Sequence, residues 1–374
     1  MVVAQDGNNN VFPIAFALVD GETAFAWSFF LKNIRTHVAP QANLCLILDR
    51  HAAIKIAYNN HDNGWHNPPF THVYCIRHIA QNFRRAIKDK NLRKKVVNAA
   101  YALTQPTFQY YLNEIRMSNA DVGSWLDNIP LEKWTRAFDG GCRWSHMTTN
   151  LVESMNGVFK GIRNLPITAL VRSTYYRLAS LFATRGERWS TVLTSSRVFS
   201  ESIMKLMKED TIRASTHVVT VFDCHSQTFS VQKIMDHSEG RPNFSYVVRL
   251  NRCWCDYGKY QAFRVPCSHV IAACAHARQD AYGYLSDVYK AINVMNVYNE
   301  GFAVLPMEDY WSPYQGNIVW HNDDMRRNKK GRPNNKRIRI EMDTTDKMIR
   351  LCSICRQPGH NRKKCLNVGG TSAS

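Results

Sequence analysis

The first 83 residues change hydrophobic period several times. Residues 11–19 are almost wholly apolar and follow a polar turn, Asp6-Gly7-Asn8-Asn9-Asn10. That pattern predicts a strand forming the second half of a hairpin. Over 23–38, Phe25, Trp27, Phe29, Phe30, Leu31 and Ile34 recur at helical spacing and predict a helix with a wide apolar side. Residues 44–48 form an apolar run too short for a helix, ending at Asp49, and predict a buried strand. A short helix over 52–58, a strand over 71–75 and a helix from His78 complete a β-α-β-α-β order, which implies an α/β domain.

The pattern then shifts. Arg84, Arg85, Lys88, Lys90, Arg93, Lys94 and Lys95 crowd the start of 84–145, and Leu, Trp and Tyr residues follow at helical spacing. This predicts a helical insertion with one basic face, either merely solvated or in contact with DNA. Helices are expected again over 148–158 and 167–183, the second started by Pro166. Residues 215–280 read as a small β-rich module ending in a helix. A basic linker occupies 325–350, with a last small module over 351–366. No internal repeat is evident.

Composition narrows the function classes. Of 374 residues, 45% are hydrophobic, enough for globular cores, and the formal net charge of +18 favours polyanionic partners. No run approaches the ~18 uncharged apolar residues of a membrane helix. The apolar stretch at 14–19 has no basic residue before it and Asp20 after it, so it reads as a strand rather than a signal peptide. An intracellular setting is expected, where clustered thiols point to metal before disulfides.

The chain has eleven cysteines, and six lie in two tight groups. CWCDYGKYQAFRVPCSH supplies Cys253, Cys255, Cys267 and His269 as Cys-x-Cys, eleven residues, Cys-x-His. Three thiolates and an imidazole suit a closed tetrahedral zinc site. Period-2 alternation along extended chain is expected to turn each pair of ligands to one face. The spacing resembles the SWIM zinc finger of plant Mutator-like transposases; by that likeness Cys274 and His276 are helix residues, not ligands. CSICRQPGHNRKKC supplies Cys352, Cys355, His360 and Cys365 and resembles the CCHC zinc knuckle, a module that often binds single-stranded nucleic acid. Arg362 and Lys363 lie beside it. Two structural zinc ions are expected.

Asp49 ends a predicted buried strand, where α/β sheets place their sites; the alternative is a cap for the helix from residue 52. Glu153 falls on the predicted 148–158 helix, as a site acid or a solvated glutamate. In order, DGNNNVFPIAFALVD, LILDRHAAI, YCIRHIAQNF and TTNLVESMN resemble the catalytic domain of Mutator-like element transposases over roughly residues 1–340. The likeness implies a ribonuclease H-like fold interrupted by a helical insertion, with Asp49 and Glu153 as the second and third acids of an Asp-Asp-Glu triad. Cys75 and His78 match the family's Cys-x2-His element, either packed beside the active site or touching metal. A complete triad would hold two magnesium ions about 3.5–4 Å apart for phosphoryl transfer.

The fold class expected is therefore α/β plus α. A partial ribonuclease H-like core spans 1–83 and lacks its first strand and first acid. A helical insertion (84–145), a return of the core (146–190), a ββα SWIM module and the knuckle follow. Lys330-Gly331-Arg332-Pro333 resembles an AT-hook core; with Arg337 it reads as a DNA contact, a nuclear localisation signal or a plain linker. The function expected is a nuclear, zinc-binding, nucleic-acid-binding protein derived from such a transposase and without catalysis. DNA is the expected partner, with RNA and proteins as others and no membrane. The alternatives are a piece of a magnesium-dependent transposase, a transcription regulator resembling far-red-impaired-response proteins, and a protein-interaction module acting through the SWIM finger.

Overall fold

The computed structural model describes residues 1–316, apart from 20, 163–164, 224 and 234–244. Its first sheet is shaped by its own turn. The buried Asp6 carboxylate accepts the Asn8 and Asn10 backbone N–H groups at 2.9 and 2.8 Å, and the Asn10 side-chain amide at 2.9 Å. These bonds fold the chain back, setting β1 (Val2–Gln5) antiparallel to β2 (Val11–Ala15). The Tyr298 hydroxyl donates to the same carboxylate at 2.8 Å. All four bonds consume Asp6 structurally.

Helix α1 (Ala24–His37) starts where Thr23 Oγ1 accepts the Ala26 N–H, and buries Phe30, Leu31, Ile34 and Arg35. The buried guanidinium of Arg35 is satisfied by carbonyls of Gly64, Ala39, Gln41 and Pro68. Strand β3 (Cys45–Leu48) crosses through α2 (Ala52–Asn59) to β4 (Thr71–Tyr74), and the two strands pair in parallel. The expected α/β order is therefore present. Among the described residues β1–β2 and β3–β4 are separate two-stranded sheets. What joins them is side-chain packing. Val2, Ala15, Leu44 and Leu46 rest against one core built on Phe30, Leu31, Ile34 and Trp65.

Helices α3 (Ile76–Ile87), α4 (Lys90–Tyr101), α5 (Gln105–Ser118), α6 (Ala120–Asp127) and α7 (Leu131–Trp134) form a helical stretch. Phe83, Val96, Phe108, Ile115 and Trp134 fill its core. Next come α8 (Asn150–Val158) and α9 (Ile167–Thr194). The second outruns the expected 167–183. Polar residues at 184–188 interrupt the apolar pattern, but Trp189, Val192 and Leu193 resume it by packing on Val294 and Tyr298.

The module beyond has more structure than expected. Helix α10 (Glu201–Ala214), which the sequence pattern did not suggest, precedes a four-stranded antiparallel sheet. The strands are β5 (His217–Asp223), β6 (Thr228–Lys233), β7 (Ser245–Arg249) and β8 (Trp254–Cys255). Helices α11 (Lys259–Phe263), α12 (Ser268–His276) and α13 (Ala291–Asn296) follow.

The module is docked rather than tethered. Gly258 has φ +79°, and a β-carbon there would come within 2.5 Å of the Leu103 carbonyl, so only glycine allows this approach. Arg264 Nη2 donates to the Gly140 carbonyl at 3.2 Å. Met1–Met307 accordingly form one compact unit and Glu308–Ser374 a second. In the second, Tyr310 and Tyr314 are exposed on and after a short 3-10 turn, Glu308–Tyr310. The basic linker and the 351–366 module, with Lys330, Arg332, Arg337, Cys352, Cys355, His360, Arg362, Lys363 and Cys365, lie outside the described residues. No helix among the described residues is long and apolar enough to cross a membrane.

Candidate metal centre and carboxylate corner

The donor atoms of Cys255, Cys267 and His269 all lie within 4.8 Å of one another, and all three residues are buried. Two elements bring them together. Cys255 ends β8, held by pairing with Val248 and by the Gln261 side-chain amide, which donates to the Cys255 carbonyl at 2.8 Å. Cys267 is the N-cap of α12, and His269 lies in its first turn, with Cys267 Sγ 3.8 Å from His269 Nδ1.

The second pair therefore meets by helix geometry, not by the expected strand alternation. A helix N-terminus also favours a negative sulfur. The hydrogen bond from Cys255 is the main cause that brings the Cys267 thiol down to about 5; burial opposes it and His269 assists. Cys255 is pushed up by that same bond and by burial. One proton shared by two buried sulfurs is an arrangement a soft cation can replace, and two thiolates with an imidazole are donors zinc favours.

Cys253 stands apart from this trio. It is exposed and has φ +49°, capping a 3-10 turn, so β8 begins only after it and the expected period-2 relation to Cys255 is broken. Its thiol lies beside the Tyr260 hydroxyl, which burial and that thiol push up and which donates to the Tyr284 carbonyl. Cys274 and His276 both fall in α12. Cys274 packs in the core, its thiol raised to about 12 by burial, and neither joins the trio.

His217 carries no signal in the sequence pattern. Its ring stacks on His269 at 4.8 Å and 9°, and its Nε2 lies 3.0 Å from Ser268 Oγ. It is 52 residues from its partner in the chain, with no spacing to betray the contact.

The second arrangement gathers around the first turn of α3. Asp49 follows β3 and is not a helix cap: His51 caps α2, its Nδ1 accepting the Ala53 N–H. One Asp49 oxygen accepts the Arg50 N–H at 2.6 Å, and the other lies 3.6 Å from His78 Nε2. Glu153, in the first turn of α8, pairs with Arg77 at 3.0 Å. The same Arg77 nitrogen donates to Asn150 at 2.9 Å. Each carboxylate thus leans on a different side chain of α3, and both are about one-third exposed, at 39% and 33%. Arg77, adjacent to His78 in CIRH, carries no spacing that would single it out in the sequence.

Cys75 and His78 do meet, as one turn of α3 requires. Burial pushes the Cys75 thiol up, but the His78 ring and two Thr149 donors, N–H at 3.3 Å and Oγ1 at 3.5 Å, outweigh it and bring it to about 7. Burial pulls His78 down, yet Cys75 and Asp49 leave it raised overall. The imidazole and the sulfur act on each other first as hydrogen-bonding partners and then through charge. With Asp49 held through Nε2, the imidazole separates sulfur from carboxylate; the three do not converge on one point. The corner orients a carboxylate and stabilises a thiolate.

Against known proteins, residues 1–82 match the MULE transposase domain. The match contains Asp49, Cys75 and His78 and ends inside α3, before Glu153 and the thiol–imidazole trio. A transposase domain is consistent with DNA as a partner. No curated protein and no solved structure matches the chain.

Proposed function

We propose that the chain is a zinc-binding, nucleic-acid-binding protein derived from a Mutator-like DNA transposase, acting in the nucleus and holding DNA without cutting it. One juxtaposition carries the reading: a stretch matching a MULE transposase domain shares a compact unit with a buried group of two thiols and an imidazole. Cys255, Cys267 and His269 would hold a zinc ion, with Cys253 swinging in from its exposed turn as the fourth ligand of a SWIM-type finger. That ion supplies folding energy and fixes the start of α12. Cys352, Cys355, His360 and Cys365 would hold a second zinc as a knuckle. Lys330, Arg332, Arg337, Arg362 and Lys363 would contact phosphates.

Withholding catalysis rests on the carboxylate corner. Asp49 and Glu153 are engaged by His78 and Arg77 rather than by each other, whereas a two-metal site needs convergent carboxylates. The second reading is magnesium-dependent strand transfer. It is favoured by the partial exposure of both acids around one helix turn, and magnesium-dependent nicking of duplex DNA by this chain would select it.

Metal analysis of the purified full chain tests the zinc assignment. Two zinc ions per chain are expected, falling to one in Cys253→Ser and to one in Cys352→Ser; two ions retained in either variant overturn that ligand set. Binding to duplex DNA is expected to weaken as a steep linear function of log salt, as counterion release requires. A salt-independent association would point to protein partners instead.

A further inference from the structure

Two cysteines outside both arrangements meet across the core. Cys45 opens β3, Cys142 lies in the loop between α7 and α8, and their sulfurs are 3.7 Å apart although 97 positions separate them in the chain. Both are half-buried.

Their surroundings are unequal. The shared hydrogen bond lowers the Cys142 thiol; burial and the Asp139 carboxylate oppose it, and the Arg143 guanidinium assists. The same bond, with burial, raises Cys45. One sulfur is thus poised to attack and the other to resolve. Disulfide closure needs the sulfurs to approach by roughly 1.7 Å through side-chain rotation. Of the two glycines before Cys142, Gly140 has open space about it, whereas Gly141 packs against the Gln261 carbonyl, so the approach falls to the cysteine side chains.

We propose that Cys45 and Cys142 form a reversible disulfide when the protein meets a hydroperoxide, tying β3 to the 139–146 loop. The Cys142 thiolate attacks one peroxide oxygen; the O–O bond breaks, water or an alcohol leaves after protonation, and a sulfenic acid remains. The Cys45 sulfur then attacks the sulfenic sulfur, the S–S bond forms, and its proton leaves with the hydroxyl as water. Two electrons pass from the thiols to the peroxide.

The crosslink would fix a loop with contacts on two sides. Arg143 Nη1 donates to the Tyr74 carbonyl of β4 at 3.1 Å. Ser145 Oγ donates to the Ala262 carbonyl at 3.4 Å, and the Gly140 carbonyl accepts from Arg264. Ala262 and Arg264 lie between the two Cys pairs of the metal centre, so oxidation would stiffen the join between the α/β core and the metal module. The proposal does not depend on the nucleic-acid reading.

The test uses the zinc-loaded full chain. It is treated with hydrogen peroxide at near-stoichiometric dose, blocked with a maleimide under denaturing conditions, digested without reductant and mapped by mass spectrometry. A linked peptide joining Cys45 to Cys142, lost on reduction, is the expected result. Finding both cysteines maleimide-labelled, or joined to other partners, while peroxide is consumed overturns it. In the reduced native protein Cys142 should alkylate about 10-fold faster than Cys45; equal or reversed rates overturn the assigned roles. The oxidised protein should also melt about 5 °C higher.

Discussion

The two candidate sites make opposite use of their chemistry. Around α12, three soft donors are gathered within bonding reach of one ion and sealed from water. Around α3, hard carboxylates stay partly exposed, and each is claimed by a separate neighbour. Burial decides the difference. Two sulfurs and an imidazole can be enclosed with a single thiolate charge and wait for a metal, whereas two ionised carboxylates could not be enclosed together without a strongly bound cation. A group that can be preassembled leaves a legible geometry before its ion arrives; one that depends on its ion does not.

That contrast breaks most readily at the metal. Chelation by EDTA should remove stabilisation on the order of 10 kcal/mol of zinc-binding free energy, seen as loss of the highest-temperature calorimetric transition. Cys267→Ser should reproduce it. A protein whose melting is indifferent to chelator would put the thiol group on the same footing as the carboxylates.

Next in size is a buried ion pair of the core, which shows what enclosure of unlike charges costs when incomplete. Arg143 and Asp139 lie 3.2 Å apart with side chains 0% and 1% exposed. The Gly141 N–H donates to Asp139 at 2.8 Å. Asp139→Ala leaves a guanidinium buried without its counter-charge and should cost about 3–5 kcal/mol in urea unfolding. Asp139→Ala combined with Arg143→Met should recover part of that loss. An additive double variant would show that the pair is not coupled.

Much of this was readable in the chain, and the failures share a cause. The α/β order and the helical character of residues 84–145 follow from period, and the nearness of Cys255, Cys267 and His269 from the spacing of the motif, both of which are local. The Asp6 turn was equally local. What escaped was set by tertiary contact. The continuation of α9 past residue 183 depends on Trp189 finding Val294 and Tyr298. The alternation expected of Cys253 and Cys255 is broken because a left-handed φ at a 3-10 cap starts β8 one residue later than the pattern suggests. His217 and the Cys45–Cys142 contact carry no sequence signal, since their partners are 52 and 97 positions away.

A third, smaller effect tests enclosure of a single titratable group. His72 on β4 is buried, both ring nitrogens lack hydrogen-bond partners, and it packs between Tyr58 and Tyr74. Burial first, then the Lys133 and Arg143 charges, bring it down to about 4. A histidine with a depressed folded pKa contributes stability that is complete above about 6.5 and is lost as pH falls toward 4. Over that window about 3 kcal/mol should disappear. His72→Phe should remove this slope, giving smaller losses than wild type between pH 6.5 and 4. Parallel pH profiles would assign the loss to other groups.

The smallest effect sharpens the comparison most, because it concerns the carboxylate corner itself. If Glu153 and Arg77 are a partly exposed surface pair, solvent screens them and holding two long side chains offsets the attraction. A cycle of Glu153→Gln, Arg77→Met and the double variant should then give a coupling below about 1 kcal/mol, shrinking further in high salt. Magnesium should change neither stability nor the cycle, since neither acid is free to turn toward the other. A coupling above about 3 kcal/mol, or one that magnesium abolishes, would mean the corner is as firmly organised as the thiol group. The acids would then be held in readiness for an ion, and the proposal that this chain grips DNA without cutting it would fall.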